Sequence, residues 1–332
     1  SIEVYGGSKG VRQVGTQGQE GYVAPVDASI SGNVTLNLYG GTITNAFGGS
    51  DALGNVGGVI NVNVLDQGSC DLALTNVYGA GNLAPYTPSD ATIISPVVNV
   101  QHIKNVNATA NAISGSVYGG GYGTSATVTA NPYVTIGDAV NNHYVKVTNN
   151  VYGGGQEANV VGSTTVLVQN SHSRIGGDVY GGGASATTAG ATVTFNEGTV
   201  VGNVYGGGLG DADHAANVTG AVAVSVTGGT TTNVFGCNNI KGAPTSTVNV
   251  NVSGGTMTGV YGGGNLASYA GTPVVAVSGG TITDIYGGGK GNFSTSTAAD
   301  VAGSNVTLSG GTVFHGIYGG CNDKGNVSGN TS

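Results

Sequence analysis

The chain has no tryptophan, three cysteines, seven prolines, and eight lysines and arginines against sixteen aspartates and glutamates. Each shortage closes off a class of protein. Charged residues make up 7% of 332, where soluble domains carry roughly a quarter, and the chain is full of Val, Thr and Ile. The charge-rich signature of a disordered chain is therefore missing. Eight cations form no basic stripe, which argues against nucleic acid and against adhesion to anionic membranes. No apolar run reaches the roughly 18 residues of a membrane span, so membrane insertion is not expected, and no signal peptide opens the chain. Cys70, Cys237 and Cys321 lack CxxC spacing. Cys237 and Cys321 replace glycine at equivalent places in the pattern described next. They lie three repeats apart, beyond disulfide reach, and read as free thiols packed as small apolar groups.

What the chain has instead is glycine, 65 residues of it, in a recurring signature. Eleven times a Val, Ile or Ala precedes an aromatic residue that glycine follows. Nine of these carry tyrosine (Tyr5, Tyr78, Tyr118, Tyr152, Tyr180, Tyr205, Tyr261, Tyr286, Tyr318) and two carry phenylalanine (Phe47, Phe235). The intervals run from 25 to 42 residues. A period of that size means stacked supersecondary units rather than one closed core.

The clearest unit is 247–264. Val248, Val250 and Val252 alternate with polar residues, the period-two pattern of a half-buried strand. Ser253-Gly254-Gly255 supplies a corner, since glycine accepts positive φ. Met257 points inward between Thr256 and Thr258, and Val260-Tyr261 forms a last short strand before the glycines turn the chain. The register returns as Val275, Val277, Ile282, Ile285, as Val306, Leu308, Val313, Ile317, and upstream as Val34, Leu36, Ile43. Several units are too short for a four-stranded propeller blade. The expected fold is all-β: one single-stack parallel β-helix of about eleven coils of 25–42 residues, right-handed by the general bias of parallel crossovers. One continuous solenoid covers 1–332, with irregular, loop-bearing coils in 1–151 and more regular coils in 152–332. The insertions Gly10 to Ile30, Pro85 to Ser95 and Asn105 to Ile113 place any specific site first on the N-terminal half. The chain opens inside one signature and closes just after another, without a polar cap. It reads as a processed protein, a fragment, or a subunit continuing into a neighbour.

Units of the form Val-x-Val-x-Gly-Gly-Thr-x-x-x-x-Val-Tyr-Gly-Gly-Gly, strongest from Gly202 to Gly320, resemble the glycine-rich β-strand-repeat surface proteins of gut bacteria. That resemblance implies a secreted, adhesin-like β-solenoid at the cell surface or outside the cell, and brings no catalytic motif.

Candidate chemistry is sparse. In-register coils stack the rings of Tyr118, Tyr152, Tyr180, Tyr205, Phe235, Tyr261, Tyr286 and Tyr318 one rung apart, with the preceding Val or Ile pointing the other way. The column is either an internal ladder, with the Val column at a corner or outside, or an exposed strip for stacking on sugars. The pairs Thr42/Thr44, Thr230/Thr232, Thr256/Thr258 and Thr281/Thr283 form ranks that fail in most of the N-terminal half. They fit exposed strand positions, and their regularity resembles ice-binding solenoids. Sixteen acids are thinly spread. Asp211 and Asp213, beside His214, are the one tight pair, either an exposed polar loop or a Ca²⁺ site completed by carbonyls. No other cofactor is indicated. The histidines (His102, His143, His172, His214, His315) lie in separate units without metal spacing.

The best reading is a non-catalytic extracellular stalk or surface spacer, with surface glycans or proteins as partners. The alternatives are a filament subunit associating end to end through open strand edges, and a polysaccharide-binding or polysaccharide-degrading β-helix. The last requires two carboxylates within about 10 Å in one groove.

Overall fold

A computed structural model describes residues 2–104, 113–140 and 143–332. The insertion expected at Asn105 to Ile113 lies, apart from Ile113, outside the described residues. Every element is a strand, and every pairing between named strands is parallel. The protein is a parallel β-helix.

Each coil passes through three strand segments. The first carries the alternating valines, as in Ile60–Val64, Thr188–Phe195 and Val222–Val226. The second is a short segment at the place where the Thr-x-Thr pairs fall in other coils, as in Val145–Val147, Ser173–Ile175 and Thr199–Val200. The third is the Val-aromatic dipeptide, as in Val151–Tyr152, Val179–Tyr180 and Val204–Tyr205. A loop with a single bridging residue then closes the coil, as in the column Tyr86, Val128, Val160. In the last three coils the segments merge into the strands Val248–Tyr261, Val274–Tyr286 and Asn305–Tyr318. The corner between the first two segments bends without ending the pairing. A register shift marks it, and Gly255 takes φ +86° and Gly280 φ +93° there.

Alternation sends one side of each strand into a continuous lumen. Val248, Val250, Val252, Met257 and Val260 are all buried in it, with Thr256 and Thr258 facing out. Burying a side chain of this size is worth about 1.5–3 kcal/mol, and the lumen repeats that gain coil after coil. Between coils, backbone amides reach the neighbouring rung. The nitrogen of the glycine after each ring donates to the carbonyl of the next ring residue, as from Gly153 to Tyr180 and from Gly181 to Tyr205, both at 2.9 Å.

The long first loop folds on itself through antiparallel bridges Val11↔Val26 and Val14↔Val23. Arg12 fastens it to the stack by donating to the carbonyls of Ala52 and Leu83 and to Ser125 Oγ. The cysteines need one correction. Pairing puts Cys237 level with Gly263 and Gly320, so Cys321 lies one residue further along the turn and the two are not equivalent. Cys237 is two residues past Phe235 and Cys321 three past Tyr318, and the Asn that follows both hid the offset. All three thiols are free.

The turn glycines are required for space. A Cβ at Gly181 would stand 2.3 Å from the carbonyl oxygen of Gly206 on the next coil, whereas nothing lies within 4 Å of one at Gly320. Gly181→Ala should therefore cost about 1–3 kcal/mol, the usual penalty of overpacking. Gly320→Ala should stay within about 0.5 kcal/mol of the parent. Denaturant unfolding of the two variants checks the difference.

Candidate functional site

The aromatic column was the first sequence candidate, and its placement follows from a two-residue strand. Alternation sends Val and Tyr to opposite faces. Val77, Val117, Val151, Val179, Val204, Val234 and Val260 enter the lumen. Phe47, Tyr78, Tyr118, Tyr152, Tyr180, Tyr205, Phe235, Tyr261 and Tyr286 form a second, separate buried cluster on the other side of the strand. The expectation that an internal ladder would leave the Val column outside is thus corrected: both columns are buried. The reason is that each ring leans back over the residue two positions earlier. A Cβ at Gly259 would lie 2.6 Å from the Tyr261 ring. Residues of the following turn cover the other side. The rings from Phe47 to Tyr286 are at most 9% exposed and offer no open stacking strip, while Tyr318, on the last coil, is 44% exposed.

Eleven rings from Tyr5 to Tyr318 stack in one series. Neighbouring centroids are 4.6–5.0 Å apart and the planes agree within 3–13°. At that spacing parallel rings must be offset, the favoured geometry, worth about 0.5–1.5 kcal/mol per pair beyond burial. The hydroxyls reach the edge of the cluster and find amide or acid partners. Tyr78 donates to Gln156, Tyr180 donates to Asp178 and accepts from Asn239, and Tyr152 accepts from Asn150.

A polar column beside the rings escaped the sequence reading. From Glu3 to Asn233 the residue two before each ring links coil to coil, and the column then breaks at Gly259. Asn76 Nδ2 donates to Asn45 Oδ1 at 3.0 Å, the amide of Asp178 to Asn150 Oδ1 at 2.8 Å, the amide of Asn203 to Asp178 Oδ1 at 2.7 Å, and Asn233 Nδ2 to Asn203 Oδ1 at 2.9 Å. The fixed offset of Asn or Asp from the ring was the signal that could have found it.

In the loop considered for a cation, Asp211 is engaged by its own neighbours. Asp211 Oδ1 accepts the backbone N–H groups of Asp213 and His214, its Oδ2 accepts the Ser185 hydroxyl, and His214 Nδ1 lies 3.1 Å away. These donors, the His214 amide foremost, hold the Asp211 carboxyl far below the usual range. The carboxylate closes its own loop. Among the described residues no three His, Cys, Asp or Glu side chains converge as a metal set.

Two histidines from separate units do meet. The His102 and His143 rings stack at 4.2 Å, and His143 faces Asp138 at 3.7 Å. Burial foremost, then His143, pushes the His102 pKa down. Asp138 and Glu197 both line an open groove of about 480 Å³. They are two coils apart, about 9–10 Å at the strand spacing, but Glu197 is exposed. It lacks the apolar surroundings that make a carboxyl a general acid.

Burial pushes up the hydroxyl pKa values of Tyr78, Tyr152, Tyr180 and Tyr205, and that of Tyr261 to about 12. A raised tyrosine pKa keeps the folded state protonated where the unfolded chain has lost its protons. This stability is complete below about pH 10 and falls as pH rises from there through the folded values. In an alkaline titration the ladder tyrosines should therefore ionise together with loss of the β circular-dichroism signal. Tyr205→Ala should cost about 3–5 kcal/mol in denaturant unfolding, with Tyr205→Phe far milder, since Phe47 and Phe235 already serve in the stack. No family model matches the chain, and neither does any curated protein or solved structure.

Proposed function

We propose that this chain is a non-catalytic, adhesin-like spacer that acts at a cell surface or outside the cell. One observation carries the reading: lumen, ring stack and backbone ladder continue through every coil. Ten ring-to-ring steps of 4.6–5.0 Å make a rod about 50 Å long, bonded from rung to rung along the described strands. Bending such a rod means opening hydrogen bonds and parting stacked rings on one side, so it holds whatever its faces and loops display at a set distance.

Life outside a cell is supported by the same features. Eight lysines and arginines in 332 residues give trypsin-like proteases few cleavage points, and the coils leave little extended chain for a protease to bind. The loops and the outward threonine face are the parts free to meet surface glycans or proteins.

Small-angle scattering, read together with a polysaccharide panel, tests this reading. The expected results are a stiff rod of constant length at all concentrations and no bond cleavage in any polysaccharide. Length growing with concentration would move the reading to an end-to-end filament. New reducing ends or unsaturated products from any substrate would overturn the non-catalytic role.

A further inference from the structure

The outward column of the second segment runs in strict register. Lys146 pairs with Arg174, Arg174 with Thr199, Thr199 with Thr230, Thr230 with Thr256, Thr256 with Thr281, and Thr281 with Thr312. Threonine fills this column for five rungs, and then two cations take its place on adjacent coils. Register puts their backbones one strand spacing apart, about 4.8 Å. Like charges side by side on one face repel.

Among the described residues no carboxylate relieves that repulsion. No Lys or Arg forms an ion pair among the described residues, and neither Lys146 nor Arg174 has a side-chain hydrogen bond there. Four of the other six cations are held: Arg12 and Lys104 on carbonyls, Lys241 on the Ala212 carbonyl, Lys324 on a serine hydroxyl; Lys9 and Lys290 stand singly outside the strands. Lys146 and Arg174 instead line an open groove of about 510 Å³ together with Tyr144, Ser171, His172 and Thr199. That volume falls in the range of ligand clefts, about 300–1,000 Å³. Tyr144 is 50% exposed and meets the His172 ring edge-on at 4.5 Å. Two carboxylates, Asp138 and Glu197, line a separate groove that shares Ser171 with this one, and Asp138 faces His143.

We propose that this groove binds an anionic glycan. A sulfate or carboxylate group of the sugar bridges Lys146 and Arg174, the Tyr144 ring packs on an adjacent sugar face, and the Ser171 and Thr199 hydroxyls meet sugar hydroxyls. An oxyanion between the two cations turns their mutual repulsion into attraction. Arg174 supplies a planar fork and Lys146 a mobile point charge. Two cations are too few to follow a nucleic-acid backbone, whose affinity grows with the number of phosphates neutralised. The assignment is independent of the spacer reading: a rod that binds no glycan is still a spacer, and a groove that binds is a site on either kind of protein.

Isothermal titration with four probes tests it: a sulfated tetrasaccharide, a uronate tetrasaccharide, a neutral tetrasaccharide and inorganic sulfate. The expected result is binding of one or both anionic oligosaccharides, weakened by salt, at least tenfold tighter than the neutral one or sulfate. Which of the two binds identifies the anionic group. The double variant Lys146→Ala/Arg174→Ala should lose at least tenfold in affinity with an unchanged β spectrum, since both side chains lie outside the core. Lys146→Arg should keep binding, and Tyr144→Ala should weaken both anionic sugars alike. No binding of either anionic sugar, equal binding of the neutral one, or undiminished binding by the double variant would overturn the site. Inorganic sulfate binding as tightly as the oligosaccharides would overturn its assignment to a glycan.

Discussion

The parallel backbone ladder between coils is the constraint on which everything else depends. It brings each residue to within one strand spacing of its counterpart on the next rung. Whatever occupies a position must be compatible with a copy of itself about 4.8 Å away. Flat rings satisfy that rule when offset, as the series from Tyr5 to Tyr318 does. Asparagine satisfies it because one amide can donate to the next, as Asn76 does to Asn45 and Asn99 to Asn63. Glycine satisfies it where two turns approach so closely that no Cβ fits, as at Gly153 and Gly181.

The same rule accounts for the shortage of charge. A column of lysines or of glutamates would place like charges side by side along the whole rod, so threonine, serine and asparagine take the outward positions. Charges that remain are mostly confined to loops and turns, where they do local work: Arg12 fastens the first loop and Asp211 closes its own. Lys146 and Arg174 stand against this background because they break the rule inside a strand column. A structural explanation would require a carboxylate between them, and none is there among the described residues.

Much of the fold was legible in the chain. The alternation of Val248, Val250 and Val252, the glycine corner and the inward Met257 all appear as read. The positions of the rings were half legible. Alternation in a two-residue strand says that Val260 and Tyr261 face opposite ways, but not that both sides are closed. The cover over the rings comes from neighbouring turns whose approach depends on how the coils stack. The cysteine offset was legible by counting from the ring, since Cys237 stands two residues after Phe235 and Cys321 three after Tyr318. The meeting of His102 with His143 was not, because insertions change coil length and make counting along the chain an unsafe guide to register.

The sequence by itself determined the architecture: a recurring period, alternating valines and turn glycines leave a parallel β-helix as the way to bury the apolar face of each unit. Only the tertiary structure decided which columns are closed, which are open, and which residues from distant coils share a groove. Lys146 and Arg174 are 28 positions apart, and no local pattern marks them as a pair. They become neighbours because the loops between them consume the right number of residues to return the second segment to the same place on the next coil, and that is a property of the stack.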